Sequence, residues 1–273
     1  MKVSISSYSF HGLLKEGKMD VFGFLESCKY RYAVDAVEIW NGTLGGRMDE
    51  EYLRAVRQAL DERDLTLANL CVDGAHLWED DLEAREENYR SALAYLAAGE
   101  MLGARSVRID MGGKGTELTE EQFDYIVMRY KEYARRGGEG GYRVGPETHW
   151  GPSLTMDVQK KVHDAVDSPA YGVLLHVGHW QGDDDAKAGD AMAAPWAMHT
   201  HVDARITAEC LEEKLRLLID AGYEGWFGVE HHTARNEYRE VEWQLAEVRR
   251  MLAHLDLEAR EAQLPDTQNR RDN

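Results

Sequence analysis

Glutamate and histidine residues recur at the ends of four strand-like runs in the second half of the chain. Glu147, His176, His201 and Glu230 occupy equivalent places in these runs. Carboxylate and imidazole groups are common protein ligands of first-row divalent metals. If the runs form adjacent parallel strands, the four side chains converge and can hold one divalent cation. The runs are residues 142–151, 171–179, 196–203 and 226–232.

Each of these residues, taken singly, also suits a strand end at which the side chain satisfies its own hydrogen bonds. Four equivalent positions on successive runs favour the metal site over that alternative. His199 and His201 are two residues apart, so both can face inward. We prefer His201 as the ligand because it is nearer the end of its run. His231 and His232 face opposite sides of theirs, so at most one can point into the site.

Strand-like and helix-like segments alternate along the whole chain, which predicts parallel strands joined by crossover helices. Eight such units predict a single-domain (β/α)8 TIM barrel over residues 1–258, with a polar and disordered tail at 259–273. An open doubly wound sheet is the alternative, but no glycine-rich phosphate loop follows the first strand. The strand patterns that precede the four runs lie at residues 3–9, 36–40, 66–72 and 106–111.

Several helix boundaries can also be predicted from capping residues. Asp20 and Thr119 are expected N-caps, and Gly103 is expected to end the helix at 82–102. The glycine-rich residues 137–141 lead into the fifth strand. Thr207 is the expected N-cap of the helix that follows the seventh strand.

Residues 180–195 interrupt the alternation of strands and helices. They are rich in Asp, Gly and Ala and have no clear apolar stripe, so we expect a loop in place of the sixth helix. A loop after a barrel strand emerges on the face that carries the site, where long loops are commonly lids. A lid would bring Trp180 or Lys187 towards a ligand. A solvated spacer is the alternative.

Composition limits the partners of this 273-residue chain. It has 32 Lys plus Arg and 50 Asp plus Glu, so the formal net charge is 32 − 50 = −18. A field of that sign disfavours nucleic acid and anionic membrane surfaces, and no apolar run is long enough to span a bilayer. Cys28, Cys71 and Cys210 form no CxxC pair, which favours free thiols and a cytoplasmic location. Homo-oligomer formation is left open.

Four short motifs make the chain similar to a known family. Their order and spacing resemble those of the xylose isomerase-like TIM barrel superfamily, in particular the sugar phosphate isomerase/epimerase family. The resemblance covers about residues 3–255. The motifs are MLGARSVR at 101–108, PETH at 146–149, HTHV at 199–202 and GYEG at 222–225 followed by Val229-Glu230.

The resemblance implies one divalent cation held by Glu147, His176, His201 and Glu230. The family has the pattern D-x-x-H where this chain has HVGH at 176–179, so His179 matches and His176 stands in the place of an aspartate. That change removes one negative charge from the ligand set and shifts the preference away from magnesium. We expect manganese first, with cobalt, zinc, iron or magnesium as alternatives.

The resemblance also implies an isomerase or epimerase that acts on a small keto-sugar, a polyol or a sugar phosphate. The metal acts as a Lewis acid towards an enediolate, Glu147 and Glu230 remove and return the proton, and His179 orients an oxygen. The same site could serve a dehydratase or lyase that eliminates next to a ketone, as in a 3-keto-glycoside or an inosose. A DNA-repair endonuclease would need a basic face, and a barrel that binds sugars without turnover is the non-enzyme alternative.

Five further residues are candidates for substrate contact. Arg108 could equally be a structural charge in the barrel, and each tryptophan could be a packing residue. Glu38 could form a hydrogen bond or fill the barrel interior. The five candidates are His149, Trp40, Trp150, Arg108 and Arg205.

Overall fold

Eight parallel strands form the centre of the structure, a computed structural model that describes residues 2–181 and 186–262. Their order in the sheet is β5-β4-β3-β2-β1-β8-β7-β6, and each neighbouring pair along it is parallel. The strands are β1 (Lys2–Ser6), β2 (Ala36–Trp40), β3 (Thr66–Val72), β4 (Ser106–Ile109), β5 (Arg143–Gly145), β6 (Val173–His176), β7 (Ala197–Val202) and β8 (Trp226–Val229).

The sheet closes into a barrel between β5 and β6. The Gly172 N–H donates to the Val144 carbonyl at 3.2 Å, and the Leu174 N–H donates to the Pro146 carbonyl at 2.8 Å. Pro146 has no N–H to donate, which weakens the ladder at this point and is consistent with the short β5. Gly145 lies so close to the Gly172 carbonyl that a side chain there would collide with it. The predicted single-domain TIM barrel is confirmed.

Helices surround the barrel and pack their apolar faces against it, as the buried Leu53, Val56 and Leu60 of one of them illustrate. Asp20 and Thr119 cap helices as predicted, and Gly103 ends its helix in the left-handed conformation. The α-helices of the described chain are α1 (His11–Lys15), α2 (Val21–Glu26), α3 (Glu50–Glu62), α4 (Leu82–Leu102), α5 (Glu120–Gly140), α6 (Met156–Val166), α7 (Ala186–Ala193), α8 (Ala204–Glu209), α9 (Leu211–Asp220) and α10 (Glu237–Ala262).

The prediction that a loop replaces the sixth helix is wrong, because α7 occupies that place. Its buried Asp190 accepts hydrogen bonds from Lys214 Nζ at 2.7 Å, Trp180 Nε1 at 2.9 Å and the Gly178 N–H at 3.0 Å. A polar anchor of this kind leaves no apolar stripe in the sequence. The remaining part of the predicted loop, residues 182–185, lies outside the described residues.

Two further boundaries differ from the prediction. The last helix, α10, continues to Ala262, past the expected domain boundary at residue 258, and residues 263–273 lie outside the described chain. Asp203, rather than Thr207, caps the helix after β7 through its hydrogen bond from the Ile206 N–H at 2.7 Å. None of the helices within 2–181 and 186–262 is long and apolar enough to cross a membrane.

Candidate metal centre and active site

Four buried side chains meet inside the C-terminal end of the barrel. Glu147 follows β5, His176 ends β6, His201 lies in β7 and Glu230 follows β8. One ligand atom from each lies within 4.8 Å of the others. His176 Nδ1 and His201 Nδ1 are 3.0 and 2.9 Å from the same Glu147 oxygen, and His201 Nδ1 is 3.2 Å from Glu230 Oε2. The parallel topology thus brings together the four residues that the sequence singled out.

The backbone around Glu147 is fixed on both sides. Its N–H donates to Asp110 Oδ1 at 3.1 Å, and its carbonyl accepts from Ser153 Oγ at 2.6 Å. These bonds supplement the ladder with β6, which continues past Pro146 through the Thr148 N–H to the Leu174 carbonyl at 3.2 Å. They hold the glutamate at the strand end with its carboxylate turned into the barrel.

His201 lies between three carboxylates. Its Nε2 is 2.9 Å from both oxygens of Glu38, while its Nδ1 faces Glu147 and Glu230. Burial disfavours the charged ring, but Glu230, Glu38 and Glu147 outweigh burial and raise the pKa of His201 well above its usual value. His199 lies near Glu38 and outside the four-residue group, and burial lowers the pKa of His199 to about 4.

The carboxylates of the catalytic candidates Glu147 and Glu230 are held in their ionised form. Burial opposes ionisation of both, yet His149 and His201 lower the pKa of Glu147 well below its usual range, and His201 does the same for Glu230. Burial lowers the pKa of His176, which favours the neutral, metal-binding form of that ring.

These residues fit a first-row divalent cation. Two imidazoles and two carboxylates converge, and the buried carboxylates require positive charge nearby, which His201 and Arg108 supply in this structure. A bound cation would take the place of the proton on the inward-facing nitrogen. Glu38 would continue to hold the opposite nitrogen, as carboxylates commonly do for metal-bound histidines. His176, His179 and Asp203 form a neighbouring group with similar spacing.

A cavity of about 370 Å³ opens above the four-residue group. Trp40, Trp150, His149, Arg108 and His179, all singled out from the sequence, line it. The complete lining is Ser6, Tyr8, Trp40, Cys71, Asp73, Arg108, Glu147, His149, Trp150, His176, His179, Glu230 and His232.

Three predicted positions lie away from this cavity. Arg205 is exposed in the first turn of α8, with its guanidinium beside Gly178. Trp180 is buried against Asp190, and Lys187 Nζ lies 3.2 Å from a carboxylate of Glu213 on α9. None of these three side chains lines the cavity.

Arg108 is buried in a network of acceptors. Its Nη1 donates to the Val72 carbonyl, Asp73 Oδ1 and Asp110 Oδ2, each at 2.8 Å. Its Nε lies 3.2 Å from Glu147 Oε2. Burial disfavours the guanidinium charge, but Asp110 and its other anionic neighbours raise the pKa of Arg108. Both roles considered for this residue therefore coexist, since it lines the cavity and is also a buried structural charge.

His149 joins the same network from the other side of Glu147. Its Nδ1 lies 3.1 Å from Glu147 Oε2, and its Nε2 lies 3.0 Å from Asp110 Oδ2. Burial alone would lower the pKa of His149, but Glu147 and Asp110 raise it to about 10. Trp150 Nε1 donates to the same Asp110 oxygen at 3.0 Å. The Trp40 indole donates to Asp73 Oδ2 at 2.7 Å.

Asp73, Asp110 and Asp203 are site residues that were not singled out in the sequence. Asp110 ends the β4 run, and its place at a strand end was the signal that could have found it. Asp203 accepts from His179 at 3.0 Å, and His232 lies 2.7 Å from Glu230 Oε2. His231 bonds instead to Thr233, so one histidine of this pair faces the cavity, as expected.

The chain is thus a TIM barrel that carries a cluster of carboxylate and imidazole side chains at the C-terminal end of its eight parallel strands. A family model described as xylose isomerase-like TIM barrel matches residues 30–255, and the chain belongs to that family. No curated protein matches the chain by sequence comparison.

Solved structures of similar fold include three of particular interest. An L-ribulose 3-epimerase has a TM-score of 0.76 at 12% identity, covering 97% of this chain and 99% of that one. The IolI protein with a bound zinc atom has a TM-score of 0.73 at 14% identity, covering 94% and 99%. The probable 3-DHS dehydratase AsbF of Bacillus anthracis has a TM-score of 0.71 at 15% identity, covering 90% and 98%. At these identities the likeness establishes the fold alone.

Proposed function

We propose that the chain is a divalent-metal-dependent isomerase or epimerase of a small keto-sugar, a polyol or a sugar phosphate. The observation that carries the proposal is the convergence of Glu147, His176, His201 and Glu230 at the base of a cavity lined by aromatic and polar side chains. Fold-level likeness to an epimerase and to a zinc-containing IolI protein supports it. Manganese is the ion we propose first, with cobalt, zinc, iron or magnesium as alternatives.

When bound, the cation supplies Lewis-acid polarisation of a substrate carbonyl. Glu147 and Glu230 are the residues that move the proton on the carbon beside that carbonyl, one removing it and the other returning a proton. Arg108 and His149 contact one oxygen of Glu147, which keeps that carboxylate ionised and fixes its orientation. His232 does the same for Glu230.

The remaining candidates orient the substrate. His179 is partly exposed in the cavity and is held through Nε2 by Asp203, so its ring is pre-positioned to contact a substrate oxygen. Trp40 and Trp150 have their indole N–H groups tied to Asp73 and Asp110. Their fixed rings form walls against which the apolar C–H face of a sugar can pack.

A lyase is the second candidate, and one observation favours keeping it. Elimination beside a ketone needs an acid to protonate the departing oxygen, and His149 and His232 supply two imidazoles at the cavity wall. The fold is also shared with a probable dehydratase. Product analysis by NMR separates the two reactions, since elimination releases water or an alcohol and epimerisation releases nothing.

Substrate-proton exchange with solvent tests the proposed chemistry. Metal-loaded Glu147→Gln and Glu230→Gln should each lose about two to four orders of magnitude in exchange and turnover, because each change removes a proton-transfer group. Glu62→Gln, at the exposed end of α3, is the matched control and should behave as the parent. Near-parental exchange in either active-site variant would contradict the two-glutamate mechanism.

Metal dependence is tested on the same protein. Activity should disappear on treatment with a strong chelator and return on addition of Mn²⁺, Co²⁺, Zn²⁺, Fe²⁺ or Mg²⁺. Purified protein that contains no metal and gains no activity from any of these ions would overturn the metal-dependent function.

A further inference from the structure

Arg108 is the only lysine or arginine among the residues that line the cavity, within the part of the chain that the structure describes. It is buried, and its Nε and Nη1 are already directed at Asp73, Asp110 and Glu147. A phosphate group entering the cavity would have to compete with three carboxylates for this one guanidinium.

The imidazoles of His149 and His232 in the wall also contact carboxylates. Both ring nitrogens of His149 lie at hydrogen-bond distance from carboxylates, one from Glu147 and one from Asp110. His232 Nε2 lies 2.7 Å from Glu230 Oε2. Each ring therefore already has an acidic partner inside the protein.

The position at which TIM barrels usually bind phosphate is occupied by a side chain of the protein. Barrels bind phosphate at the loops after strands 7 and 8 with help from a helix N-terminus. Here the carboxylate of Asp203 occupies that place after β7. One of its oxygens accepts the Ile206 N–H at 2.7 Å, and the other is 3.0 Å from His179 Nε2. A protein anion thus stands where a substrate phosphate would bind.

Asp73 adds a negative charge to the cavity wall. Its side chain is half exposed, and its oxygens accept from Trp40 Nε1 and Arg108 Nη1. Burial, Glu230 and Asp73 together raise the pKa of the nearby Tyr8 hydroxyl, as expected in a negative potential. A sugar hydroxyl can donate to Asp73, whereas a phosphate dianion is repelled by it.

We propose, as a refinement that depends on the proposed function, that the substrate is an uncharged polyhydroxy ketone and that the site rejects sugar phosphates. Asp73 is the specificity-determining residue, because it offers an acceptor to hydroxyl groups and a like charge to phosphate. Arg108 already contacts three carboxylates, so the cavity wall offers no free guanidinium group that would favour phosphate over hydroxyl groups.

Matched pairs of free and phosphorylated ketoses test the proposal on the whole, Mn²⁺-loaded protein. The pairs are D-fructose and its 6-phosphate, L-ribulose and its 5-phosphate, and D-xylulose and its 5-phosphate. Binding is followed by tryptophan fluorescence, since Trp40 and Trp150 line the cavity, and proton exchange is followed by NMR. At least one free ketose should bind and exchange, and each that binds should do so at least about tenfold more tightly than its phosphate.

Equal or tighter binding of the phosphates would overturn this refinement and leave the proposed function standing. If neither the free ketoses nor their phosphates bind or exchange, both are overturned. Asp73→Asn should reduce the ratio of free-ketose affinity to phosphate affinity by about tenfold. The change removes a negative charge that repels phosphate and weakens the ion pair with Arg108. Asp157→Asn, an exposed change in the first turn of α6, should leave the preference unchanged. A preference that Asp73→Asn does not alter would exclude Asp73 as its source.

Discussion

Glu38 lies outside the group of Glu147, His176, His201 and Glu230, but it holds the imidazole of His201 in place. The sequence left two roles open for Glu38, and the structure shows a buried hydrogen-bonding role. Both of its oxygens lie 2.9 Å from His201 Nε2, and Asn69 Nδ2 donates to one of them at 2.8 Å. A carboxylate on the far nitrogen fixes the ring orientation and makes the near nitrogen a better ligand.

Replacing Glu38 with Gln should therefore weaken metal binding by about 10–100-fold. The amide keeps the shape of the side chain but loses the charge that supports His201. Competition with a chelator of known affinity measures the effect, and Glu62→Gln on the exposed end of α3 serves as the control. Unchanged affinity in a correctly folded Glu38→Gln protein would show that Glu38 does not tune the site.

The convergence of Glu147, His176, His201 and Glu230 could be predicted from sequence because these residues share one position relative to their strands. Asp73 and Asp203 could not, since their roles depend on partners such as Arg108 and His179 that only tertiary structure reveals. Arg205 was misjudged for a local reason. The helix after β7 begins at Ala204, three residues before the expected cap, so Arg205 lies in its first turn and is exposed.

Among the elements, α7 shows how a polar anchor can replace an apolar stripe. Asp190 is fully buried, and the Lys214 ammonium that it contacts on α9 is nearly so. Gly189 lets the helix backbone lie directly against the Trp180 ring. These contacts fasten the helix to its neighbours, although its sequence of small and acidic residues resembles a loop.

Asp190→Ala should cost about 3–5 kcal/mol in the free energy of unfolding, because it leaves the buried Lys214 without its counter-charge. Urea unfolding measures the loss, and Asp220→Ala on the exposed face of α9 is the control. The double change Asp190→Ala with Lys214→Met should recover part of the loss, since no unpaired charge then remains buried. A loss below about 1 kcal/mol for the single variant would contradict the anchor.

The predicted bounds agreed best with the structure for three regular elements. The bounds of β2, β3 and α4 are those expected, and Asp81 and Gly103 mark the two ends of α4. The glycines at 137–141 do not interrupt the helix before the fifth strand, since α5 continues through most of them to Gly140. Gly137 lies against the backbone carbonyl of Tyr142, and a side chain there would collide with it. Close packing, and not a break in the helix, explains that glycine.

At the scale of the whole molecule, the junction that closes the barrel also positions two residues of the site. Glu147 and His176 lie on the two sides of the seam between β5 and β6, and Glu147 pairs across it with Leu174. Sequence alternation predicted the eight strands, but it contains no signal for how closely the first and last strands of the sheet order approach. That approach depends on Gly145 and Gly172, where the backbones meet without side chains between them.

Gly145→Ala should therefore act on stability and metal binding together. Its new methyl group would meet the Gly172 carbonyl, and the strain of parting β5 from β6 should cost about 1–3 kcal/mol in the free energy of unfolding. The same displacement moves Glu147 relative to His176, so metal affinity should fall as well. Gly138→Ala in α5 is the matched control, because its methyl group would lie at an ordinary 3.7 Å from Ala170 Cβ. That helical change should be neutral or stabilise by up to about 1 kcal/mol. If urea unfolding and chelator competition show no difference between the two variants, the seam does not couple the closure of the barrel to its site.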